Sequence, residues 1–101
     1  MIVMLTILEA KPGKEHDIEH ALKALIPKMD AEEGLETFIL HKAQGDPRMF
    51  MSYERYKDRW AMEYHRSTAY FREAWNKITP LIQGTPRIEL FEEIGSKTCA
   101  R

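Results

Sequence analysis

This chain of 101 residues lacks most of the features that would identify its chemistry outright. It has one cysteine, Cys99, in the C-terminal SKTCAR. No internal disulfide can form, and a reducing compartment is permitted. No apolar run reaches the roughly 18 residues that a membrane span requires. The N-terminus has neither a basic region nor a small-residue cleavage site, so a cytoplasmic protein without a signal peptide is expected. Net charge is only −1, from 15 basic and 16 acidic residues with no block of one sign. Nucleic-acid affinity rests on a concentrated basic face, so neither nucleic acid nor membrane is expected as a partner. Repeats and low-complexity segments are absent as well. What remains is 44% hydrophobic and 31% charged residues, the balance of one globular domain.

The first segment, MIVMLTIL, is apolar, rich in β-branched residues and closed by Lys11-Pro12-Gly13, which predicts a strand. Ile18, Leu22, Leu25 and Met29 then recur at helical spacing, with Glu19 and Lys23 as an i,i+4 pair on the wet side. Pro27 bends or ends that helix. Leu35–Ala43 and Arg48–Tyr56 read as strands joined by the turn Gln44-Gly45-Asp46-Pro47, and so as a hairpin. Asp58 is placed to cap a short helix reaching His65. Ser67 or Thr68 can cap a second, whose buried stripe is Phe71, Trp75, Ile78 and Ile82. Gly84 stops it, and Pro86–Ile94 is a last strand.

The fold class is therefore α+β, a ferredoxin-like βαββαβ arrangement with its second helix split in two and an antiparallel sheet. The domain covers 1–95, followed by a polar tail at 96–101. Helices cover only one face of such a sheet, and the other should turn polar. Here it does not. Val3, Leu5 and Ile7 oppose Met4 and Leu8, and Met49, Met51 and Tyr53 oppose Phe50. The cover expected for this second face is another copy of the chain, giving a homodimer.

Certain residues also carry a resemblance. They are Ala10-Lys11-Pro12-Gly13-Lys14-Glu15, Glu33-Gly34-Leu35, Leu40-His41, Asp46-Pro47, Tyr53-Glu54-Arg55-Tyr56 with Asp58, and His65-x-x-Thr68-x-Tyr70-Phe71. In this order and spacing they resemble the antibiotic biosynthesis monooxygenase family of the dimeric α+β barrel superfamily, over residues 1–94. The resemblance implies a homodimer in which the last strand can exchange across the interface. It implies an activity that, in several members, oxidises quinols or polyketide anthrones with O2 as co-substrate and no metal, flavin or heme. Other members degrade heme or isomerise a small phosphorylated ketone. The Asn, Trp and axial His of the heme-degrading branch align with Thr6, His65 and Trp75, and none matches. The Trp, Asn and Tyr of the anthrone-oxidising branch align with Tyr56, Ser52 and Leu40.

The segment Met49–Phe71 holds most of the candidate chemistry. Strand periodicity puts Ser52, Glu54 and Tyr56 on one face, which the resemblance makes the helix-facing side. A carboxylate there needs a partner, and His65 at the end of the short helix is the expected one. A Glu54–His65 pair could take a proton from a phenolic or enolic substrate. It could equally be structural, with His65 only capping the helix end. Tyr56, Trp60, Tyr64, Phe71 and Trp75 could stack on a flat aromatic ligand, although Phe71 and Trp75 also suit a core; Tyr56 and Tyr70 are further pocket candidates because a buried hydroxyl needs a partner, and Tyr70 could help hold the ring. Thr6 and Ser52 could hold its oxygens. His41 should face away from this group, toward the interface. His16-Asp17-Ile18-Glu19-His20 matches a zinc-protease-like H-x-x-E-H string. Both histidines lie opposite Ile18, and no third ligand follows, so no metal is expected. Three functions stay open: a cofactor-independent oxygenase of a quinol- or anthrone-like compound, a binding domain without turnover, and an isomerase acting by enolisation.

Overall fold

The apolar N-terminal run becomes β1 (Ile2–Glu9), an inner strand of a four-stranded antiparallel sheet. A computed structural model describes residues 1–97; Cys99 and the last four positions of the expected tail lie outside the described residues. β2 (Leu35–Lys42), β3 (Met49–Tyr56) and β4 (Arg87–Glu92) complete the sheet in the order β2-β3-β1-β4. Thr6 stands between Ser52 of β3 and Ile88 of β4, and Met4 between Glu54 and Leu90. The βαββαβ order is that of the ferredoxin-like fold.

Helix α1 (Glu15–Lys23) is shorter than its apolar stripe, and a separate 3-10 turn, Ile26–Ala31, carries the stripe on. Pro27 explains the division. It falls at the start of the 3-10 turn, where its missing N–H costs no hydrogen bond. Ile18, Leu22, Leu25 and Met29 are nevertheless all buried. Asp58 caps α2 (Arg59–Ser67) as its position suggests, accepting from the Ala61 N–H at 2.8 Å. α3 (Ala69–Ile78) follows after one residue. That residue, Thr68, does not cap α3. Its hydroxyl donates back to the His65 carbonyl at 2.8 Å and closes the end of α2.

A bulge in β2 matters for the site. Leu35 pairs with Tyr56 and Thr37 with Arg55, so two residues of β2 span one of β3. The bulge resets the alternation, so that Leu35, Phe38 and Leu40 all face the helices. Just upstream, a Cβ on Gly34 would lie 2.4 Å from the Ala61 Cβ. Only glycine allows α2 to approach the start of β2 this closely.

Two buried clusters form between sheet and helices. One joins Leu8, Phe50, Ile18, Leu22, Ile78 and Ile82; the other joins Met4, Tyr56, Ala61 and Met62. On the opposite sheet face, Ile39 and Phe91 are each about half exposed, beside Leu5, Ile7, Met51 and Tyr53. His41 lies on that face too, opposite Leu40, its Nδ1 3.3 Å from the Met51 carbonyl. No helix among the described residues is long and apolar enough to cross a membrane.

Candidate active site

Between the two clusters lies a cavity of about 820 Å³ that opens at one side to solvent. Its walls are largely apolar. They include Leu22, Met29, Phe38 and Leu40 on one side and Phe71, Trp75 and Ile78 of α3 on another. Such a volume is in the range of pockets that enclose a small organic ligand. The polar atoms reaching it from the sheet are those of Thr6, Ser52 and Glu54, all buried.

Glu54 is 4% exposed and sits at the centre of a hydroxyl cluster. Ser52 Oγ donates to Oε2 at 2.7 Å, Tyr56 donates to Oε1 at 2.5 Å, and Thr6 Oγ1 lies 3.5 Å from Oε2. The register supplies this arrangement. Ser52, Glu54 and Tyr56 alternate along β3 onto one face, and Thr6 stands directly across from Ser52. Burial, and then the charge of Glu54, push the Tyr56 phenol far above its ordinary range. It keeps its proton and serves as a fixed donor.

His65 is 1% exposed and forms part of the cavity wall. Its Nδ1 lies 2.9 Å from Glu32 Oε2. The Tyr70 hydroxyl donates to the same oxygen and lies 3.3 Å from Nδ1. An imidazole that donates from Nδ1 to a carboxylate carries its lone pair on Nε2 when neutral. The ring is packed against Phe71, edge on, with centroids 5.0 Å apart, and lies 5.8 Å from the Tyr56 ring. Glu32 Oε1 is buried and has no hydrogen-bond partner among the described residues.

Several expectations change here. The carboxylate that meets His65 is Glu32, not Glu54, because the hydroxyl cluster occupies Glu54. The Tyr56 and Tyr70 hydroxyls do find partners, Glu54 and Glu32, but neither residue is among those lining the cavity. Trp60 is 76% exposed and borders a separate shallow cleft with Tyr64; its place early in α2 turns it away from the sheet. Thr6, Ser52, Glu54, His65, Phe71 and Trp75 do line the cavity. Glu32 is the residue that the sequence pattern did not reveal. Its signal was topological. Leu35 pairs with Tyr56, so residues just before β2 must lie beside the strand end from which α2 springs. Among the described residues, no group of three or more His, Cys, Asp or Glu could hold a metal ion.

Fold and cavity together define a small α+β domain with a largely apolar cavity between sheet and helices. The chain belongs to the antibiotic biosynthesis monooxygenase family, whose model matches residues 1–77. It is 32% identical over 72 residues to "Putative monooxygenase YcnE" of Bacillus subtilis, a match covering 71% of this chain and 76% of that one. The solved structure PA3566 from Pseudomonas aeruginosa is 26% identical, with a TM-score of 0.86 over 93% of this chain and 94% of that one. A Nitrosomonas europaea structure with the same family description has a TM-score of 0.90 at 20% identity, over 94% of this chain and all of that one. At that identity it bears on the fold alone.

Proposed function

We propose that this protein is a monooxygenase that removes a proton from a bound phenolic or enolic compound, such as a quinol or anthrone, and lets the resulting anion react with O2. The observation that carries this reading is His65, held by Glu32 at 2.9 Å through Nδ1, in the wall of an apolar cavity. Glu32 fixes the tautomer and the ring direction, and Tyr70 fixes Glu32. Nε2 is then the proton acceptor. The apolar walls exclude water and align a flat ring. The electrons come from the substrate, so this route asks for no cofactor. For an anthrone, deprotonation of the methylene gives a carbanion that adds O2 to form a hydroperoxide. Loss of water from the hydroperoxide leaves a carbonyl. One oxygen atom ends in the product and the other in water.

We also propose that the working form is a homodimer, because the sheet face away from the helices presents Leu5, Ile7, Ile39, Met51, Tyr53 and Phe91 with no cover among the described residues. The test of function is O2 uptake by metal-stripped protein with a panel of hydroquinones and anthrones. Uptake above autoxidation, lost in His65→Gln, is expected. Turnover that continues without oxygen would instead assign an enolising isomerase. Binding with no turnover under either condition would assign a ligand-binding domain.

A further inference from the structure

The polar groups lining the cavity differ in burial, and the difference selects a substrate class. At the floor, two of the three hydroxyl protons are already committed. Ser52 gives its proton to Glu54 at 2.7 Å, Tyr56 gives its own at 2.5 Å, and Thr6 points at the same carboxylate from 3.5 Å. A hydroxyl has one proton and two lone pairs. With its proton spent on Glu54, Ser52 can offer an incoming ligand only lone pairs, and a carboxylate offers nothing else. Thr6 alone among the described floor hydroxyls keeps a proton to give, and around Ser52 and Glu54 the floor accepts hydrogen bonds and does not donate them. A ketone or ether oxygen placed there would face oxygen lone pairs, whereas a phenol, enol or amine would be satisfied.

The mouth has the opposite character. Of the lining residues that are exposed, Arg66 and Arg72 bring guanidinium groups, which donate and never accept. Neither forms an ion pair among the described residues, while Arg48, Arg55 and Arg87 each do. Among the exposed lining residues described, Glu73 is the one acid, and Asn76, Thr79 and Thr85 are neutral. The middle is hydrocarbon and aromatic surface.

We infer that the substrate is a hydroxyaryl or enolic compound bearing an anionic group at its far end, with the hydroxyl on the acceptor floor beside His65 and the anion at Arg66 and Arg72. This rests on the deprotonating site proposed above and adds which molecules that site takes. Guanidinium pairs suit both carboxylate and phosphate, so either anion satisfies the chemistry.

The test is calorimetric binding, under anaerobic conditions, of matched ligands. They are 1,4-dihydroxynaphthalene, its 2-carboxylate, the 2-phosphate monoester of 1,2,4-trihydroxynaphthalene, and the dimethyl ether of the carboxylate. The anionic diols should bind on the order of tenfold tighter than the neutral diol, the increment of one charged hydrogen bond. Arg66→Gln with Arg72→Gln should abolish that ratio, and 0.5 M salt should shrink it. The dimethyl ether should lose at least as much, having no donor for the floor. The better of carboxylate and phosphate identifies the anion. Equal affinity for neutral and anionic diols, a ratio unchanged in the double variant, or no binding by any member would overturn the inference. If the anionic ligands bind as expected but consume no O2 when it is admitted, the polarity of the cavity stands and the oxygenase reading falls. If neutral diols are oxidised as readily as anionic ones, the oxygenase reading stands and this inference falls. The arginines are exposed, so the variants should fold, and circular dichroism checks that they do.

Discussion

Replacing Glu32 by Gln is the change with the clearest consequences for this site. The carboxylate holds His65 Nδ1 at 2.9 Å and also accepts from Tyr70. The His65 and Glu32 side chains are 1% and 5% exposed, so water cannot substitute for either partner. Hydrogen bonds to a charged group contribute about 1.5–3 kcal/mol, and neutral ones about 0.5–1.5. Weakening two of them by about 1 kcal/mol each removes about 2 kcal/mol. Oε1 already has no partner among the described residues, so the amide nitrogen placed there becomes a stranded donor, and the total rises toward about 3 kcal/mol. A domain of this size loses about 4–8 °C per kcal/mol, so Tm should fall by roughly 10–20 °C. Tyr70→Phe alone should cost about half as much. Both changes act on one oxygen, so the double variant should fall short of the sum by at least about 0.5 kcal/mol. Urea unfolding followed by circular dichroism, at fixed protomer concentration because association shifts apparent stability, measures all three. Additive effects, or an unchanged Tm in Glu32→Gln, would refute the network as a unit.

Other predictions follow from other parts of the molecule. Gly34→Ala would set two Cβ atoms 2.4 Å apart and should destabilise by about 1–3 kcal/mol; adding Ala61→Gly should recover part of this in thermal melts, and a second change that only adds further loss would contradict the steric account. Tyr56 holds its proton in the folded state far above the range where a free phenol, pKa about 10, loses it. The folded state then binds more protons than the unfolded one above pH 10, so that contribution to stability is complete below about pH 10 and declines above it. Tyr56→Phe should remove about 1 kcal/mol from the change in stability measured by urea unfolding between pH 10 and 11. Hydrogen bonds from Lys23 at 2.8 Å and Lys42 at 2.9 Å hold the Glu19 carboxyl down at about 2, against an ordinary value of 4.5. Its stabilising effect is complete above pH 4.5 and disappears as pH falls toward 2. A carbon-13 titration should show the midpoint returning upward when both lysines become Met. Light scattering should give a mass near twice 11.9 kDa, and Ile39→Glu on the uncovered sheet face should reduce it to the monomer.

Much of the fold was readable because each element buries one periodic stripe. Ile18, Leu22, Leu25 and Met29 were correctly read as buried, even though Pro27 divides the helix beneath them. The alternation Ser52–Glu54–Tyr56 located half of the site. Two features escaped for physical reasons. The β2 bulge interrupts alternation, so Leu35 and Phe38 face the same way despite an odd spacing, and period-2 reading fails across it. The partner of His65 lies 33 residues away, in a stretch, Glu32-Glu33-Gly34, whose composition reads only as a chain break. Contacts of that kind depend on strand register and on the close approach allowed by Gly34, neither of which periodicity reports. Trp60 shows the converse error. A large aromatic near other aromatics suggested a wall, but its position on α2 points it into solvent.

In the proposed mechanism an imidazole steered by Glu32 ionises a compound in the cavity before oxygen reacts with it. Anaerobic absorbance spectroscopy of a bound naphthol or anthrone reads that ionisation directly, since the anion absorbs to the red of the neutral form. At a pH about two units below the ligand's own pKa, wild-type protein should generate the anion band in stoichiometric proportion, and His65→Gln should bind the ligand and leave it neutral. A bound ligand that stays protonated in the wild type, or an anion band of equal height in the variant, would contradict the account.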